Sequence, residues 1–91
     1  MEQLRNYING ELTEPVSKTY LDNYEPATGE VYSQVPDSDE RDVQLAFDSS
    51  KSAFESWSKT SLESRMMILM KVADGIEKRM DQFVAAESKD N

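Results

Sequence analysis

Between Leu62 and Phe83 the chain places an apolar residue at every third or fourth position: Leu62, Met66, Leu69, Ala73, Ile76, Met80 and Phe83. That spacing predicts a helix, because residues three and four apart share one face. Met67, Ile68, Met70 and Val72 widen the stripe well beyond an ordinary amphipathic face. A helix that is apolar round most of its circumference needs neighbours on several sides, and a chain of 91 residues has few to offer. The expectation is a surface shaped to lie against groups these residues do not supply. Self-association through the apolar face of 61–84 follows from it.

The boundaries of this helix can be placed from its flanks. Thr60 and Glu63 stand in capping-box spacing, which sets the helix over 61–79. Gly75 costs about 1 kcal/mol relative to alanine inside a helix, and a close helix crossing would account for it. The charged stretch from Lys78 to Gln82 reads as a break, with Asp81 able to cap a short last helix over 81–88.

A second helical stripe lies upstream. Asp37 and Glu40 have capping-box spacing, and Val43, Ala46, Phe47, Ser50, Ala53, Phe54 and Trp57 form one stripe, so a helix is expected over 38–58. Before Pro36 the pattern is extended. “YINGEL” reads as strand, turn, strand, because Asn9 and Gly10 both tolerate positive φ. Thr19 to Leu21 opens a further extended segment, “EPATGE” interrupts it, and Glu30 to Val35 resumes with a period of two. The chain is therefore expected to be α+β: a short antiparallel meander over 4–36, then two or three helices, in one partial domain over 1–91.

Composition excludes several kinds of chemistry. Eighteen acids against ten bases give a formal charge of −8, which repels nucleic-acid backbones and anionic lipid headgroups. There is no cysteine and no histidine, so thiolate chemistry, sulfur-ligated zinc and the commonest general base are absent. No apolar run is long enough for a membrane span or a signal peptide, and a cytoplasmic location is the expectation. Gly10, Gly29 and Gly75 are scattered and form no phosphate-cradling loop.

The remaining candidates have plain structural roles. The pairs Asp39-Glu40 and Asp37-Asp42 fit the start of a helix better than a cation site. Lys51, Lys71 and Lys78 sit on helices where a solvent-facing amine is the ordinary outcome. Met66, Met67, Met70 and Met80 suit core filling more than an adaptable binding surface, and Trp57 suits an anchor between helices. No catalytic, cofactor-binding or metal-ligating residue is assigned.

The order of these features resembles one family. “YINGEL”, then “EPATGEVYSQVP”, a helix ending “AFESW”, “SRMMILMKVADGIEKR” and “FVAAESKDN” look like the amino-terminal portion of the NAD(P)-dependent aldehyde dehydrogenases, from about Tyr7 to Asn91. Within that family “YEPATGEVY” and “AESKD” are most similar to the branch acting on 2-hydroxymuconic or 2-aminomuconic semialdehyde. Glu25 departs from the asparagine the family usually has there.

The resemblance implies a parent enzyme that oxidises an aldehyde to a carboxylic acid with NAD or NADP. Its catalytic cysteine, general-base glutamate and cofactor contacts would lie beyond Asn91, where the family continues with “GKP”. The 91 residues would then be an inactive piece of a longer, oligomeric enzyme whose helices cover a nucleotide-binding sheet. Some members hold an alkali cation on carbonyls that would be those of Asn23 and Tyr24. The alternative is a self-standing acidic helical module that binds protein partners and has no enzymatic activity.

Overall fold

The computed structural model describes Met1–Asn91. Five strands precede three helices: β1 (Glu2–Gln3), β2 (Asn6–Ile8), β3 (Glu11–Thr13), β4 (Tyr20–Glu25), β5 (Glu30–Pro36), α1 (Glu40–Trp57), α2 (Leu62–Lys78) and α3 (Met80–Asp90). The α+β class expected from the sequence is the one observed.

The two hairpins form where the turn chemistry places them. Asn9 and Gly10 have φ of 53° and 77°, the left-handed pair of a type I′ turn, and they bring Tyr7 opposite Leu12 and Ile8 opposite Glu11. Gly29, at φ 74°, closes the second turn, where its amide donates to the Glu25 carbonyl at 2.8 Å. β4 and β5 then pair antiparallel from Tyr20–Pro36 to Glu25–Glu30, with a register shift between Asn23 and Tyr24.

The strands are not one continuous meander. β2 and β3 make a two-stranded sheet, while β1, β5 and β4 make a three-stranded one in that order, with β1 parallel to β5. The separation comes from the segment between β3 and β4. Pro15 is buried and has no amide to donate, the Lys18 amide turns back to the Pro15 carbonyl at 2.9 Å, and Lys18 itself sits at φ 61°. That turn points the chain away from β3. The two polar residues of β1 show no alternation that sequence could register; they pair because the Leu4 amide reaches the Gln34 carbonyl at 2.8 Å.

The starts of α1 and α2 lie slightly downstream of those expected, and that of α3 lies one residue upstream. Asp39, not Asp37, caps α1: its carboxylate accepts from the Arg41 amide at 2.9 Å, and Asp42 returns a carboxylate oxygen to the Asp39 amide at 3.0 Å. Asp37 is held by the sheet, its amide donating to the Thr19 carbonyl at 2.9 Å. Ser61, not Thr60, caps α2, accepting from the Ser64 amide at 3.1 Å. The Thr60 hydroxyl is already spent on the Trp57 carbonyl at 2.6 Å. The helical path breaks at Arg79, and α3 starts at Met80 with no side-chain cap, leaving Asp81 within its first turn.

No hydrophobic residue is buried, and only three of the 91 residues are buried at all: Pro15, Ser33 and Asp42. The molecule is a slab of 47 × 34 × 16 Å. Its radius of gyration is 16.6 Å, against about 12 Å for a compact chain of this length. Its accessible surface is 7564 Å², where a compact monomer of 10.4 kDa has roughly 5,400 Å². Apolar area that a domain normally removes from water stays in contact with it.

This openness corrects three expectations. The methionines at 66, 67, 70 and 80 do not fill a core; all four face solvent. Trp57 is not wedged between helices but carries the Arg65 guanidinium 5.7 Å above its ring. Gly75 lies at no helix crossing, since the nearest atom to an added Cβ would be the Arg79 guanidinium at 3.5 Å. In each case the packing partner presupposed by the residue type is absent from the 91 residues.

Candidate interaction surface

The largest uncovered feature is the face of α2. Leu62 is 83% exposed and Leu69 66% exposed, and Met66, Met70 and Ile76 lie beside them on the same side of the helix. On the flank toward α3, Ile68, Val72 and Ile76 border a shallow groove completed by Phe83 and the stem of Arg79. α1 repeats the situation on a smaller scale: Val43, Phe47 and Phe54 form a stripe that no other element covers. Such faces can bind another apolar surface and carry no group that reacts.

Arg65 fixes the corner between α1 and α2. Its guanidinium donates to the Trp57 and Ser58 carbonyls and to the Thr60 hydroxyl, each at 3.0 Å. Those carbonyls are among the last of α1, which no following turn can satisfy, and a cation there also suits the negative end of the helix dipole. In the sequence Arg65 stands out only as the second residue of “SRMMILMKVADGIEKR”. Its position four residues after Ser61 and eight after Trp57 is the signal that could have marked it as a cap for the preceding helix.

A polar cluster ties α3 to the three-stranded sheet. The Asp90 carboxylate accepts from the Tyr32 hydroxyl at 2.5 Å and from Asn23 Nδ2 at 2.9 Å, and the Asn23 amide also donates to the buried Ser33 hydroxyl at 3.1 Å. Lys89 sets its ammonium 4.9 Å over the Tyr32 ring. Donation of the Tyr32 proton to Asp90, together with loss of water around the phenol, pushes the tyrosine pKa up. Accepting from Tyr32 and Asn23 holds Asp90 below the usual carboxylate range. Nothing in the sequence announces this cluster, whose members stand 58 and 67 residues apart.

The residues weighed for chemistry fall in separate places. Asp39 is held low by the Arg41 side chain and belongs to the cap of α1. Asp42, only 4% exposed, accepts from the Val16 and Asp39 amides, both at 3.0 Å, and so pins the loop after β3 to the start of α1. Lys51, Lys71 and Lys78 are exposed on α1 and α2. Asn23 and Tyr24 straddle the register shift of β4 and β5, and no three acidic side chains converge there or elsewhere. No helix is long and apolar enough to cross a membrane.

A dinucleotide needs a strand-to-helix turn where backbone amides can approach a pyrophosphate. The one such junction here, from β5 to α1, reads Pro36-Asp37-Ser38-Asp39-Glu40. It has no glycine, the Asp37 amide is taken by the Thr19 carbonyl, and the Asp39 and Arg41 amides are taken by the carboxylates of Asp42 and Asp39. These residues do not fit a pyrophosphate.

With no reactive cluster in the described surfaces, kinship is the stronger guide. The family model described as “Aldehyde dehydrogenase family” matches residues 12–91. The chain is 48% identical over 87 residues to a 2-aminomuconic semialdehyde dehydrogenase of Danio rerio and 42% identical over the same length to that of Homo sapiens; each match takes in 96% of the chain. A long-chain-aldehyde dehydrogenase of Acinetobacter sp is 34% identical over 90 residues, or 99% of the chain. In all three cases the chain spans 18% of the relative's length. The match takes in the second strand of the first hairpin, the “EPATGE” turn, the Trp57–Arg65 corner and both later helices, and the chain belongs to the aldehyde dehydrogenase family.

Proposed function

We propose that the 91 residues are the amino-terminal part of an aldehyde dehydrogenase whose full length oxidises an aldehyde to a carboxylic acid with NAD or NADP. The 48% identity to a 2-aminomuconic semialdehyde dehydrogenase favours an unsaturated semialdehyde as the substrate of that longer protein. The observation that carries the reading is the coincidence of a family match over 12–91 with a chain that buries no hydrophobic residue. In a chain of the relatives' length, the α2 face has several hundred further residues to lie against. Within these 91 it has none, and the same face then serves self-association. A cytoplasmic location goes with this reading.

On this view the residues present act by shape. The “YINGEL” and “EPATGE” hairpins and the Arg65 corner set the positions of three helices, and NAD(P) and the reacting groups belong to other parts of the longer protein. The test is direct. The purified chain, incubated with NAD or NADP and a panel of aldehydes that includes a muconic semialdehyde, should yield no reduced nicotinamide. The chain joined to the remaining length of a close relative should yield it. Turnover by the 91 residues alone, or an inactive chimera that folds and binds NAD, would overturn the proposal.

A further inference from the structure

The turn between β2 and β3 sets a side-chain amide beside a main-chain nitrogen that nothing else engages. Asn9 and Gly10 are both exposed, and the space where a Cβ of Gly10 would sit is open. In a two-residue type I′ loop the cross-turn hydrogen bond belongs to the residue that follows, so the amide of the second loop residue is left over. No acceptor bonds the Gly10 amide. The Asn9 side chain is held at one end only: its Oδ1 accepts from the Ser49 hydroxyl at 3.4 Å, and its Nδ2 is free. A glycine after asparagine leaves its nitrogen unshielded by any Cβ, the least hindered setting for attack on the side-chain amide.

Other positions of related chemistry are closed. Asn6 and Asn23 each precede a tyrosine, and their Nδ2 groups donate to the Ser38 hydroxyl and the Asp90 carboxylate, both at 2.9 Å. Asp74-Gly75 repeats the pairing of a short acyl side chain with glycine. There the glycine lies within α2, and its amide is spent on the carbonyl four residues back. The sequence offers two acyl-glycine pairs, and the fold leaves one of them open.

We propose that Asn9-Gly10 is a site of spontaneous covalent modification, at which water converts the asparagine to aspartate and isoaspartate and loosens the hairpin. The Gly10 nitrogen gives its proton to solvent and attacks Asn9 Cγ, forming an N–Cγ bond. The Cγ–Nδ2 bond breaks, and Nδ2 leaves as ammonia after taking a proton from solvent. Water then adds to one of the two carbonyls of the cyclic imide. Addition at Cγ breaks the bond just formed and gives aspartate. Addition at the main-chain carbonyl of residue 9 breaks the original peptide bond and routes the chain through Cγ, giving isoaspartate. Nothing is oxidised or reduced, and the formal charge of −8 gains one further negative charge.

Both products disturb what the turn holds. Isoaspartate adds a carbon to the main chain of a loop whose length sets Tyr7 opposite Leu12 and Ile8 opposite Glu11. Either product places a carboxylate in the groove between the hairpin and α1 that Glu11, Glu14 and Asp48 already line, where like charges repel.

Peptide mapping by mass spectrometry of the 91-residue chain, aged at physiological temperature and mildly alkaline pH, tests the site; isoaspartate is scored by an isoaspartyl methyltransferase. The expected result is loss of the amide at position 9, one ammonia released per chain, both isomers in the product and a rate that rises with hydroxide concentration. Amide exchange at Glu11 and Leu12 should quicken in the aged chain. Asn9→Gly keeps a residue at ease with positive φ and should abolish the product. Asp74→Asn should keep its amide at position 74 while the chain is folded and lose it in urea. An Asn9 amide that survives in the folded chain and is lost only in urea overturns the site, because the turn then protects it. Equal conversion at positions 9 and 74 of the Asp74→Asn variant, with its helical circular dichroism intact, shows that the open Gly10 amide does not select the site. Unchanged exchange at Glu11 and Leu12 after conversion overturns the loosening.

Discussion

Replacing Arg65 by alanine should loosen the end of α1 without disturbing the rest of the fold. The guanidinium makes three hydrogen bonds of 3.0 Å, to the Trp57 and Ser58 carbonyls and the Thr60 hydroxyl, and lies over the Trp57 ring. Hydrogen bonds from a charged donor are each worth about 1.5–3 kcal/mol when well covered. Arg65 is only partly covered, and water can take over some of the carbonyls, so about 2 kcal/mol in all is the realistic loss. Opening of the last turn should then become about 30-fold more frequent. Amide hydrogen exchange reads this locally, at Ser58, Lys59 and Thr60, whose amides bond to Phe54, Ser56 and Trp57 carbonyls. Arg65→Lys should restore about half of the protection, because one ammonium cannot span all three acceptors. The comparison is made at matched oligomeric mass. Unchanged exchange at 58–60 in the alanine variant would refute the capping role, and an equal rise at the far end of α2 would show a global effect instead of a local one.

Two further outcomes follow from the polar contacts. Asp42→Ala should leave the Val16 and Asp39 amides unpaired in a covered site and cost about 2–3 kcal/mol, seen as faster exchange at both amides; Asp42→Asn, which keeps one acceptor oxygen, should cost less. The tie between α3 and the sheet should fail at both ends of the pH scale. Asp90 is held below its ordinary pKa of about 3.9, so its contribution is present above that value and is lost as pH falls through the lowered one. Tyr32 is pushed above about 10, so its contribution is present below that value and is lost as pH rises through the raised one. Side-chain chemical shifts of Asn23 and Ala86 should follow both transitions, and Asp90→Asn should abolish the acidic one.

Much of this molecule is local, and what is local was legible. Asn9 and Gly10 dictate their hairpin whatever surrounds them, because few other pairs accept positive φ twice in succession. The three- and four-residue steps from Val43 to Trp57 and from Leu62 to Ile76 specify two helices and their apolar sides. The caps were misplaced by one or two residues for a tertiary reason. The Asp37 amide is tied to the Thr19 carbonyl, the Ser38 hydroxyl accepts from Asn6, and the Thr60 hydroxyl donates to the Trp57 carbonyl, so the caps fall to Asp39 and Ser61.

The sequence by itself determined the elements, their turns, the acidic surface and, through recurring short motifs, the family. The tertiary structure alone decided that β1 joins β5 in parallel, that the strands divide between two sheets, and that Asp90 reaches back 67 residues to Asn23. It also decided that α1 and α2 leave their apolar stripes in water. The reason is range: turn conformation and helix period act over a few bonds, whereas sheet order and burial depend on which distant surfaces are present to meet.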